Sequence, residues 1–188
     1  IESVSTEFKL VCDQMQIQKS ELAKTIFFAG QASASLIAGL IGDNLGRKLP
    51  VLIFGILVTL ASLLASYTEN YTIYLGCRFT LAFAITCSLN AYVLIMEITG
   101  TKYRQLAGTG IQCFFAFGQM TLSGLAYYIR TWRSLQIAMT VLNIPVILIY
   151  FIVPESPRYL LNKGKVDEVD AIVRKIAKSN NKKDKDVE

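Results

Sequence analysis

No histidine occurs in the 188 residues. Imidazole is therefore unavailable as metal ligand, catalytic base or proton switch. Four cysteines are present, none at Cys-x-x-Cys spacing, which leaves zinc and iron–sulfur sites without support. Charge is scarce: 18% of residues, against about a quarter in soluble domains. No Asp or Glu falls inside any long apolar run, so the spans hold no paired catalytic carboxylates and an intramembrane enzyme is excluded. The net charge of +5 comes with no basic stripe and interleaved aromatics outside the tail, which argues against a nucleic-acid binder. No signal peptide precedes the first apolar run, and the chain begins with Ile, as a piece of a longer protein would.

What is abundant is apolar: 53% of the chain, in blocks. Five runs stand out, at Leu22–Ile41, Pro50–Ser66, Thr72–Met96, Ala107–Ile129 and Leu135–Val153. A helix needs about 20 residues to cross about 30 Å of hydrocarbon. Backbone groups in lipid must be satisfied within the segment, so the runs predict five transmembrane helices of an all-α membrane protein. Residues 1–21 precede them and 154–188 follow.

Five crossings put the ends on opposite sides. One side carries Lys9, Lys19, Arg130 and Arg133. The other carries Arg47, Lys48, Lys102, Arg104 and the nine Lys and Arg of the tail, and is expected to be cytoplasmic. Without the tail the two sides are equal. In the tail, Ser156 and Pro157 suit an N-cap and first helical position, and Gly164 suits a stop. Val166, Val169, Ile172, Val173 and Ile176 then mark one face of an amphipathic helix.

Gly39–Lys48, GLIGDNLGRK, places an Asp, an Arg, a Lys and three glycines between two lipid-like runs. Gly30, Ala34, Ala38, Gly42 and Gly46 recur every four residues and predict a smooth seam for close helix approach. Arg78 lies inside the third run, where an ionisable group faces a cavity or partner, or snorkels to the headgroups. Gly108, Gln112, Phe115 and Gln119 share a stripe on the fourth run; Gln31, Ser33 and Asn90 are further polar groups in apolar surroundings. Such groups line a pathway or bond between helices. Asn70-Tyr71-Thr72 is a glycosylation sequon in a loop too short to expect modification.

Gly39-x3-Asp43-x2-Gly46-Arg47-Lys48, between two spans, resembles the signature cytoplasmic loop of the major facilitator superfamily. Val11-Cys12-Asp13, Glu97-Ile98-Thr99-Gly100 with Arg104, Gly118-Gln119-Met120, Trp132-Arg133-Ser134-Leu135-Gln136 and Pro154-Glu155-Ser156-Pro157-Arg158-Tyr159-Leu160-Leu161 narrow the resemblance to its organic cation/anion/zwitterion transporter family. The resemblance implies spans two to six of a twelve-span plasma-membrane carrier that works by alternating access. It also implies the end of a large extracellular loop before them and the start of a central cytoplasmic helical domain after them. The first span and the second half would lie elsewhere in the protein, and no cofactor or metal is expected.

By the same resemblance, Asp43, Arg47, Lys48, Glu97, Arg104, Glu155 and Arg158 form a cytoplasmic gate. Gln31, Tyr92 and Gln112 match substrate contacts, to which the stripe adds Phe115 and Gln119. Gln31 stands where an aromatic is more usual, and Arg78, Ala82 and Ala84 depart from an Arg-x3-Gly-x-Gly pattern. Cys12 would join a disulfide with an upstream partner, or stay a free thiol. The substrate is a small organic ion, with a lean to organic cations; an organic anion, zwitterion or sugar is the alternative. A non-transporting truncated relative that scaffolds or regulates a carrier is the reading from another class.

Overall fold

The computed structural model describes residues 14–151 and 153–179. Cys12 lies outside the described residues. The elements are α-helices: α1 (Gln14–Leu45), α2 (Lys48–Tyr67), α3 (Tyr71–Cys87), α4 (Asn90–Ile98), α5 (Arg104–Tyr128), α6 (Trp132–Ile149), α7 (Pro157–Asn162) and α8 (Val166–Ser179). Among the described residues, three stretches are long and apolar enough to cross a membrane: Gln18–Leu45, Lys48–Tyr67 and Tyr71–Ile98, the last made of α3 and α4 together. Helices α5 and α6 fall on the other two apolar runs; they include Gln105, Gln112 and Gln119, and Arg133, Gln136 and Asn143.

The small-residue seam of α1 packs on α3. Ala34 is fully buried beside Phe54, Ala84 and Cys87. A Cβ placed on Gly30 would lie 2.6 Å from the Phe79 carbonyl oxygen, closer than a real side chain tolerates. Glycine is what lets the two backbones meet there. On its other side α3 packs on α2, where Ala65, Tyr74 and Cys77 form a second cluster against Tyr71 and Trp132.

Between α2 and α6 the contact is polar. Ser62 and Thr140 hydroxyls lie 2.6 Å apart. Gln136 Nε2 donates to Ser62 Oγ at 2.9 Å, and Asn143 Nδ2 donates to Thr59 Oγ1 at 3.0 Å. Such interhelical bonds are worth about 0.6–2 kcal/mol each in a bilayer. Gln136→Leu should therefore lower the thermal midpoint of the detergent-purified protein, by a loss of about 1 kcal/mol. An unshifted midpoint would show the seam to be incidental.

The stretch expected as one helix over 72–96 is broken at Ser88 and Leu89. There the ladder tightens: Leu89 N–H bonds the Thr86 carbonyl (3.1 Å), Ala91 N–H that of Ser88 (2.9 Å) and Tyr92 N–H that of Leu89 (3.0 Å). These are bonds three residues back rather than four.

At the first end of α3, Asn70 caps the helix by accepting from the Thr72 N–H at 3.0 Å. The sequon side chain is thus engaged in a cap.

Candidate functional site

The glycine-rich loop between α1 and α2 organises one end of the bundle. Gly46 takes φ +89°, a left-handed turn that costs other residues about 1–2 kcal/mol. It aims the first N–H groups of α2 at the chain entering α7. Glu155 Oε1 accepts from the backbone N–H of Arg47, Lys48 and Ser156, each at 3.0 Å. The orphan donors and positive pole of a helix start favour a carboxylate at this place. Bonds from neutral donors to a charged acceptor run about 1.5–3 kcal/mol, so Glu155 is the strongest single tie at this end. Tyr159 adds a bond from its hydroxyl to the Asn44 carbonyl at 3.1 Å.

Arg47 is the hub. Its Nη2 lies 2.9 Å from Asp43 Oδ1, its Nε 3.8 Å from Glu97 Oε2, and its Nη1 3.4 Å from Asn90 Oδ1. The two acids are not equivalent. Asp43 has 70% of its side chain exposed, Glu97 only 12%. An exposed i,i+4 pair contributes about 0.3–0.5 kcal/mol, whereas a pair shielded from water is screened far less. Glu97 also accepts from the Ser156 hydroxyl at 2.5 Å. Ser156, fully buried, accepts from Tyr159 N–H as the N-cap of α7. One serine thus ties α4 to the start of α7. A cleft of about 300 Å³ opens beside the cluster, lined by Asp43, Arg47, Glu97, Arg158 and Tyr159 among others.

Of the seven expected gate residues, Asp43, Arg47, Glu97 and Glu155 meet directly. Arg158 stands exposed at the rim of the cleft. Lys48 contributes its backbone N–H, while its ammonium sits 4.5 Å from the Tyr150 ring centre. Arg104 is exposed at the start of α5 and forms no ion pair among the described residues. Asn90, Ser156, Asn44 and Tyr159 belong to the cluster without having been read as gate residues. Ser156 had been given a cap alone, and its second role leaves no mark in sequence.

A second cavity, about 690 Å³, lies among α1, α2, α3, α5 and α6. Arg78, Gln119, Gln136, Thr140 and Asn143 give it a polar wall. Arg78 is held by Tyr74, whose hydroxyl accepts from Nε at 2.8 Å. The guanidinium borders this cavity. Gln119 shares this cavity; the other expected substrate contacts do not line it. Gln31 is half-buried on α1, Tyr92 is exposed on α4 beside Gly108, and Gln112 and Phe115 are exposed on α5. α5 buries no residue, and shows Phe114, Phe117 and Met120 as well as Phe115 at its surface.

The chain belongs to the sugar (and other) transporter family, whose sequence profile matches residues 7–188. It is 38% identical over 187 residues to the organic cation transporter protein of Drosophila melanogaster, covering 96% of this chain and 33% of that one. It is 35% identical over 182 residues to solute carrier family 22 member 13 of Homo sapiens, with the same coverage. Organic anion transporter 3 of Sus scrofa is 35% identical over 185 residues, covering 97% of this chain and 34% of that one. The chain thus spans about a third of the length of the curated relatives it matches.

Among solved structures, the major facilitator superfamily proton:xylose symporter XylE bound to 6-bromo-6-deoxy-D-glucose superposes with a TM-score of 0.84 at 17% identity. That match covers 92% of this chain and 43% of the symporter. A partially occluded inward open conformation of XylE from E. coli gives 0.74 at 20% identity, covering 82% and 43%. The fold is that of the major facilitator superfamily. The chain is a multi-pass membrane protein of the plasma membrane, in a family of transporters.

Proposed function

We propose that this chain forms spans two to six, and the start of the central cytoplasmic domain, of a carrier that moves small organic ions by alternating access. The carrying observation is the Arg47 cluster, which joins the α1–α2 loop, the end of α4 and the entry to α7 through side chains that can separate without unfolding any helix. Two packings of close energy are what alternating access requires. The cluster is closed in this arrangement, and it is the cytoplasmic lock of the outward-facing state. On opening, Arg47 leaves Glu97, and α7 moves with Glu155 and Ser156. The second half of the carrier completes the pathway.

The transported species is an organic cation by the Drosophila relative's name and by the aromatics Tyr92 and Phe115, which offer cation–π faces. Organic anions are the second reading. Arg78 borders the larger cavity, and no Asp or Glu lines it. A relative named as an anion transporter is as similar as a solute carrier of family 22.

Uptake of labelled organic cations and anions by the complete carrier decides between them. In that assay Asp43→Asn should lower the maximal rate by about twofold to threefold, in keeping with an exposed pair of about 0.5 kcal/mol, at unchanged surface expression. Transport of neither ion class would turn the assignment toward a non-transporting relative.

A further inference from the structure

Asn90 stands at the break between α3 and α4. It is 5% exposed, and its amide serves three elements. Nδ2 donates to the Cys87 carbonyl at 2.9 Å and to the Ala38 carbonyl of α1 at 3.3 Å. The Cys87 carbonyl needs this donor. The N–H four residues on, that of Ala91, has gone to Ser88 instead. Oδ1 faces the other way and accepts from Arg47 Nη1 at 3.4 Å. Space for that contact depends on Gly42, because a Cβ there would collide with both the Arg47 guanidinium and Asn90 Oδ1. Tyr92 follows two residues later, and Glu97 lies on the same short helix.

We propose that Asn90 is a positioning residue that couples the break in this span to the charge cluster. Its amide holds the break, and its carbonyl holds Arg47 in reach of Glu97. A shift of α4 about the break, such as a ligand against Tyr92 would cause, is passed to Arg47 through one side chain. Because Asn90 acts through Arg47, its role rests on the gating function proposed above.

The two ends of the amide can be separated. Asn90→Asp keeps an acceptor toward Arg47 and gives up both donors. Asn90→Leu loses both. Uptake per surface-expressed molecule of the complete carrier should fall about tenfold in maximal rate for Asn90→Leu, with KM within about twofold. Asn90→Asp should stay within about threefold of native in both.

A side chain that only satisfies carbonyl groups gives the opposite order. A carboxylate against two carbonyl oxygens is then at least as damaging as leucine, and that result overturns the proposal. Failure of both variants to reach the surface would show a folding role alone and overturn it as well. Arg47→Gln, measured in parallel, separates the two levels. If it transports normally, the gate itself is wrong, whatever the Asn90 pair shows.

Discussion

Gly46→Val is expected to unfold the charged end of the bundle, with a loss above about 3 kcal/mol and little protein at the cell surface. Two costs combine. At φ +89° a branched residue meets its own carbonyl neighbours, which costs about 1–2 kcal/mol or more. A Cβ would also lie 2.8 Å from Glu155 Oε2 and 3.0 Å from Tyr159 Cε1. The carboxylate would have to leave the three N–H groups it holds, and each such bond is worth about 1.5–3 kcal/mol. Gly39→Ala is the control. An added Cβ meets nothing within 4 Å there, and alanine gains about 1 kcal/mol of helix preference over glycine. Thermal midpoints of the two purified variants should move in opposite directions. Equal shifts would show that the turn does not anchor Glu155.

Much of this arrangement could be read from residue order, because lipid makes strong demands. Apolar runs of fixed length, a four-residue beat of small side chains and a Ser-Pro cap each state a backbone outcome directly. The break at Ser88 and Leu89 had no such signal. Neither residue is Pro or Gly, and hydropathy runs unbroken across them. It shows in the backbone bonds of Leu89, Ala91 and Tyr92 three residues back, with the Asn90 amide bonded locally to the Cys87 carbonyl and across to Ala38.

Of the seven residues expected at the gate only Asp43, Arg47, Glu97 and Glu155 meet, and the geometry in which they do so carries no signal in the sequence. The resemblance places Lys48 in the gate, whereas its ammonium lies over the Tyr150 ring. Glu155, a gate residue by the resemblance, holds backbone N–H groups, which carry no side-chain signature. The stripe on α5 fixed which residues share a face. It could not say what that face meets, and here Gln112 and Phe115 are exposed.

Replacing Glu97 by leucine should lower transport more than replacing Asp43, the exposed acid of the cluster. Glu97 and Arg47 are 12% and 18% exposed in their side chains, so their attraction is little screened. The separation of 3.8 Å is long for a bonded pair, which argues for less than the 3–5 kcal/mol seen when fully buried pairs lose a partner. A loss of about 1.5–3 kcal/mol is the reasonable range, and it shifts a two-state gate by about tenfold to a hundredfold toward the open cytoplasmic side. Leucine also strands the Ser156 hydroxyl, which then keeps only its cap with Tyr159. The expected result is a maximal uptake rate about tenfold lower, with surface expression at least half of native. A cysteine placed at Asn162, on the cleft wall, should react faster with a membrane-impermeant thiol reagent applied from the cytoplasm. Glu97→Gln, which can still accept from Ser156, should fall between native and leucine in both measurements. Unchanged thiol reactivity with a lowered rate would separate Glu97 from the lock and leave the closed cluster as packing alone.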